Sequence, residues 1–127
     1  MKVEISSLCE YASEHAGRLT IIDTFDTIVA MKIPWRAYFY YVAKIDANDV
    51  RKEYETIKVV IRNDGGDNLF EVSNPFGKHQ LLHKFNLVAG FKGLIFDKAG
   101  EYKLSVYFDK ELVIEHLFKV ELRKDEH

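Results

Sequence analysis

Cysteine is almost missing from this chain: Cys9 stands alone among 127 residues. One thiol excludes an internal disulfide framework and a zinc site built from cysteines. Two Pro and seven Gly are too few for a collagen-like or linker-like polymer. No stretch comes near the roughly 18 consecutive apolar residues of a membrane-spanning helix. Glu4 and Glu10 interrupt the segment where a secretory leader would carry its apolar run. A cytoplasmic location is therefore expected, with Cys9 as a reduced, small core residue. An excess of one charge is missing too. Lys and Arg number 18 and Asp and Glu 20, for a formal net charge of −2. The densest basic run, Lys119, Arg123 and Lys124, is interleaved with Glu121, Asp125 and Glu126. Nucleic acids are held by clustered cations facing phosphates, so neither a nucleic acid nor a membrane is expected as a partner.

What is present is a globular composition, 47% hydrophobic and 30% charged. A chain of this mass folds to roughly 7,000 Å² of surface from about 21,000 Å² unfolded. That suffices for one core, so residues 1–127 are read as a single domain. The dominant apolar period is two, with abundant Val, Ile, Tyr, Phe and Thr, which predicts strands. A first strand is expected over 2–12 and a turn over 13–17. A long run over 18–32 is too long for one flat strand. It carries Asp23, Thr24, Asp26 and Thr27 near its middle, where a bulge or a passage between sheets is expected. Further strands are expected over 35–46, 53–62, 69–73 and 80–89, with a loop at 90–93 and a short extended piece at 94–96. The last third is the plainest: Tyr102, Leu104, Val106 and Phe108 alternate with polar neighbours, and a tight hairpin at 109–111 leads into Leu112–Leu122. No window carries an apolar stripe at helical spacing. Eight or nine strands without alternating helices predict an all-β, antiparallel sandwich of the immunoglobulin-like kind.

Certain phrases look familiar. Val3-Glu4-Ile5, Leu8-Cys9-Glu10-Tyr11-Ala12 and the run Gly17–Asp26 open the chain. Phe85-Asn86-Leu87 and Ala99-Gly100-Glu101-Tyr102 precede the final hairpin. Together they resemble DUF6941, a family of small bacterial proteins of unknown function. Thr24, and the segment Val88–Gly93, depart from its pattern. The resemblance implies one compact β-sandwich and no assigned activity, so no functional residue is carried over.

Motifs for chemistry are few. No G-x-S-x-G elbow, phosphate loop or G-x-G-x-x-G occurs. Asp64-Gly65-Gly66-Asp67 is a turn whose acidic neighbours repel phosphate; it lacks the ordered ligand ladder of a calcium loop. Of the histidines at 15, 79, 83, 116 and 127, His79 and His83 would stand ~13 Å apart along a strand and could not ligate one metal without help from other strands. His116 falls on the apolar parity of the last strand and reads as a hydrogen-bonded core or rim residue. Asp23 and Asp26 would suit acid–base work only in a cleft, and more simply satisfy a bulged backbone. No catalytic residue, metal ligand or cofactor is assigned, and the chain is not expected to be an enzyme.

The 35–46 strand has apolar residues on both faces. The set Trp35, Ala37, Phe39, Tyr41, Ala43 and Ile45 is wholly apolar and is assigned inward. Tyr38, Tyr40 and Val42 then stand on the outer face, joined by Ile22 or Ile28. Such an aromatic patch is a candidate contact surface for a second copy or another protein, or for a ring-stacking ligand such as a sugar. The expectation is a non-catalytic binding or assembly module, with a small-ligand or carbohydrate-binding sandwich as one alternative and an enzyme of unknown chemistry, using Asp23, Asp26 and one of the histidines in a cleft, as the other.

Overall fold

Alternating apolar and polar residues select strands along the whole chain. A computed structural model describes residues 1–50, 52–76 and 84–123, and its strands are β1 (Lys2–His15), β2 (Arg18–Phe25), β3 (Thr27–Ala30), β4 (Trp35–Asp46), β5 (Thr56–Asn63), β6 (Asn68–Pro75), β7 (Lys84–Phe96), β8 (Gly100–Phe108) and β9 (Glu111–Leu122). They form two sheets, ordered β2-β1-β4-β7 and β3-β9-β8-β5-β6. Among the described residues there is no helix, and hence none long and apolar enough to cross a membrane. Neighbouring strands are antiparallel except β3 and β9, which run parallel. The exception follows from the path of the long 18–30 run. It pairs with β1 through Phe25 and then crosses to the second sheet, where the Asp26 carbonyl accepts the Lys119 N–H at 3.0 Å. The expected passage between sheets thus falls at the predicted place.

The core lies between the sheets. β4 sends in Ala37, Phe39, Tyr41, Ala43 and Ile45, all buried, as its odd parity predicts. β8 answers with Tyr102, Leu104, Val106 and Phe108, and β9 with Ile114, Phe118 and Val120. Aromatic rings fill the space between: Phe39 stacks on Phe91 at 4.8 Å, and Phe76 meets Phe108 edge-on at 4.9 Å. Removing such rings from water is the main stabilising term. Ile28 belongs to this core and not to an outer patch.

Residues 90–93 differ from expectation. They form no loop: β7 runs unbroken through them. Gly93, at φ +86°, sits where the β4–β7 register shifts, between Ala37↔Leu94 and Tyr38↔Lys92. A Cβ on Gly90 would lie 2.9 Å from the Tyr40 ring. The two glycines mark a bulge and a close approach inside a strand, not its end. Residues 53–55 are also not strand; β5 begins at Thr56. Residues 80–83 of the expected 80–89 strand lie outside the described residues.

Candidate functional site

The site begins where β1 stops pairing with β4. That ladder runs from Lys2↔Asp46 to Cys9↔Tyr40. β1 continues only with β2, to the hairpin tip at His15↔Arg18. The β1–β2 ladder skips the position Glu10–Asp23, and Asp23 has φ +55°. Beyond this bend the two-stranded arm lies across the outer face of the first sheet. Its tip carbonyl, on Gly17, accepts a hydrogen bond at 3.3 Å from Asn86 Nδ2 on β7, two strands away from β1. Ala12, Leu19 and Ile21 of the arm cluster with Cys9, Val42, Tyr40 and Val88. This second, smaller core buries Cys9 completely, and burial pushes its thiol pKa up.

The arm corrects the expected outer patch. Val42 is not open: its exposure is 0%, because the chain's own arm covers it. Tyr40 is half-buried, its ring lying over Gly90 and meeting Tyr11 edge-on at 5.3 Å. Ile22 stands exposed on the arm. Of the three residues proposed for contact, only Tyr38 remains open, at 65% exposure.

Tyr38 lies on a part of β4 that has lost a neighbour. Trp35–Phe39 pairs with β7 but not with β1. In a strand, main-chain groups point alternately to the two sides, so part of this stretch faces the side that β1 has left. Beside it opens a groove of about 400 Å³, lined by Glu10, Phe25, Thr27, Ile28, Val29, Trp35, Arg36, Ala37, Tyr38 and Phe39. Across the groove runs β3, the edge strand of the other sheet. Asp26 and Ala30 turn their carbonyls to β9, so the main-chain groups of Thr27 and Val29 point away from it. Glu10 and Arg36 give the groove one charge of each sign, and among the described residues neither has an ion-pair partner. The Arg36 side chain lies over Gly93, whose absent Cβ would come within 3.1 Å of its Nη1. Of the residues lining this groove, only Tyr38 and Ile28 are among the patch candidates that strand alternation suggests. The signal for Glu10 was the pair of carboxylates in mid-strand, Glu10 opposite Asp23, which marks the bend.

A second constellation joins the sheets. Ser6 Oγ lies 2.7 Å from the Tyr41 hydroxyl and 2.8 Å from His116 Nδ1. Burial pushes the Tyr41 pKa up to about 12 and pulls that of His116 down; the Asp26 charge opposes the latter shift. His116 Nε2 is buried and has no hydrogen-bond partner among the described residues. A serine bonded to a histidine has the composition of a nucleophile and its base. Here the same hydroxyl is also held by Tyr41, and neither Ser6 nor His116 lines the groove. The arrangement ties Ser6, Tyr41 and His116 Nδ1 together between the sheets, which makes His116 the hydrogen-bonded histidine that its parity predicts.

The remaining candidates lie apart from one another, and most make local contacts. Asp26 Oδ1 accepts the Thr27 hydroxyl at 3.2 Å. Asn63 and Asp67 bind one another across their turn, the Asp67 N–H reaching Asn63 Oδ1 at 2.9 Å. Asp109, at φ +53°, accepts the N–H groups of Glu55 and Thr56. Those hydrogen bonds, the Thr56 one foremost, hold its carboxyl below the usual range. Glu111 takes Lys52 and the Tyr54 hydroxyl at 2.7 Å each, and this bond lifts Tyr54 to about 12. His15 lies at the arm tip, while His79, His83 and His127 lie outside the described residues. Among the described residues no three His, Cys, Asp or Glu side chains gather as metal ligands.

A search of curated proteins finds no match for the chain. A family model described as a family of unknown function, DUF6941, matches residues 4–121. Those residues hold the arm, the groove and both sheets, and this protein belongs to the DUF6941 family.

Proposed function

We propose that the chain is a non-catalytic binding or assembly module whose contact site is the groove beside Trp35–Phe39. One observation carries the reading: Tyr38, largely exposed, stands on the stretch of β4 that β1 leaves unpaired, at a groove walled by Phe25, Ile28 and Trp35. Tyrosine suits a contact surface because it offers a broad apolar body and a polar tip. The non-catalytic part is supported by Ser6, whose hydroxyl is tied between Tyr41 and His116 away from the groove. Its lone thiol supports a cytoplasmic location, and its nearly balanced charge supports partners other than nucleic acid or membrane.

Trp35 is the only tryptophan in the chain and lines the groove, so its emission reports occupancy. Titrating a phage-selected peptide, or raising the protein's own concentration, is expected to shift that emission in wild type and not in Tyr38→Ala. An unchanged emission under both treatments contradicts the reading. A small-ligand or carbohydrate site is the second reading. It is favoured by the groove's volume, which falls in the range of small-molecule sites, and by the four aromatic residues Phe25, Trp35, Tyr38 and Phe39 that line it with Glu10 and Arg36. A flat Trp35 response across a broad glycan panel removes it.

A further inference from the structure

We propose that the occupant of this groove is a second copy of the same chain, docked about a two-fold axis so that Glu10 of each protomer faces Arg36 of the other. The proposal rests on the reading of the groove as the contact site and names its partner. In a two-fold interface, residue i meets residue j and j meets i. A patch that fits itself must therefore carry both halves of each interaction. This groove does. It holds an acid and a base, each without an ion-pair partner among the described residues. It also holds both a concavity of about 400 Å³ and, among its lining residues, the largely exposed Tyr38. Two-fold docking places each Tyr38 ring in the partner's groove and brings the free charges together as two opposite-sign pairs. A partner of uniform charge would satisfy one of Glu10 and Arg36 and repel the other. With a net charge of −2 per chain, two copies meet with little overall repulsion.

Such an interface has a signature that a merely sticky surface lacks. Glu10→Arg turns both cross-pairs into Arg against Arg, and Arg36→Glu turns both into Glu against Glu. Each variant alone is therefore predicted to lose association. In an equimolar mixture of the two, one protomer offers two arginines and the other two glutamates, so both pairs are restored. The double variant Glu10→Arg/Arg36→Glu restores them within one chain.

The experiment is sedimentation equilibrium on the full chain over a wide concentration range, with circular dichroism as a control for folding. Wild type is expected to approach twice the 14.8 kDa chain mass at high concentration. Each single reversal and Tyr38→Ala should hold at the chain mass, and the mixture and the double variant should recover the doubled mass. Three results would overturn the proposal: a wild-type monomer throughout, a dimer indifferent to both reversals, or reversals that neither mixture nor double variant rescues. A wild-type monomer whose Trp35 emission still answers to a selected peptide would end the second-copy assignment while leaving the groove as a contact site.

Discussion

From Tyr40 to Asp46, β4 is paired on both sides, and at Tyr40 and Val42 its outer face is covered by the arm. From Trp35 to Phe39 it is paired with β7 alone and carries the open Tyr38 beside a groove. Both halves have the same alternation and similar outward residues. What separates them is the place where a neighbouring strand stops pairing. Exposure on a sheet face is thus decided less by the strand that bears the side chain than by the strands beside and above it. Tyr40 and Val42 pack beneath the arm, whereas Tyr38 is exposed.

The two halves share one inner core, so the largest loss should come from truncating it. Phe39→Ala or Phe108→Ala is expected to cost about 3–5 kcal/mol in urea unfolding; a loss below about 1 kcal/mol would mean the inward parity is wrong. The outer faces should then diverge. Val42→Ala removes two buried methyl groups from beneath the arm and should cost about 2 kcal/mol, whereas an uncovered Val42 would cost under about 0.5 kcal/mol. Gly90→Ala pushes a methyl group against the Tyr40 ring and should cost about 1 kcal/mol by overpacking, read by the same unfolding midpoints.

The inter-sheet histidine gives a pH-dependent version of the comparison. Burial lowers the pKa of His116 in the folded chain, so the unfolded chain takes the proton more readily. The stability that neutral His116 contributes is complete above its unfolded pKa of about 6.5. It declines as the pH falls through that value and levels off below the folded pKa. Comparing urea midpoints at pH 8 and pH 5 should show a larger drop in wild type than in His116→Gln; equal drops would remove the effect. The smallest effect belongs to the open half. Tyr38→Lys should change stability by no more than about 0.5 kcal/mol, while Tyr40→Lys, which breaks the packing under the arm, should cost clearly more.

Much of this architecture was legible in the sequence because a period of two is a local signal. The inward sets of β4 and β8 could be read from alternation alone, and the passage between sheets from the polar residues around Asp26. The arm was not legible in that way. Cys9 and Ala12 have opposite parity yet join one cluster, because the ladder breaks at Glu10–Asp23 between them. Alternation counts residues and does not register a bend that reverses faces. Gly90 and Gly93 misled for a related reason: glycine marks both a loop and a strand that must admit a ring or a bulge, and only the neighbour, Tyr40 or Arg36, distinguishes them. The groove joins residues from β1, β2, β3 and β4, which no single strand's pattern brings together.

Residue-by-residue amide hydrogen exchange in the Tyr38→Lys chain, at a dilution where nothing covers the groove, tests the account most directly. The account predicts slow exchange throughout Tyr40–Asp46 and much faster exchange at those amides of Trp35–Phe39 that face away from β7. Uniformly slow exchange from Trp35 to Asp46 would contradict it, because it would mean that no bare stretch of β4 exists.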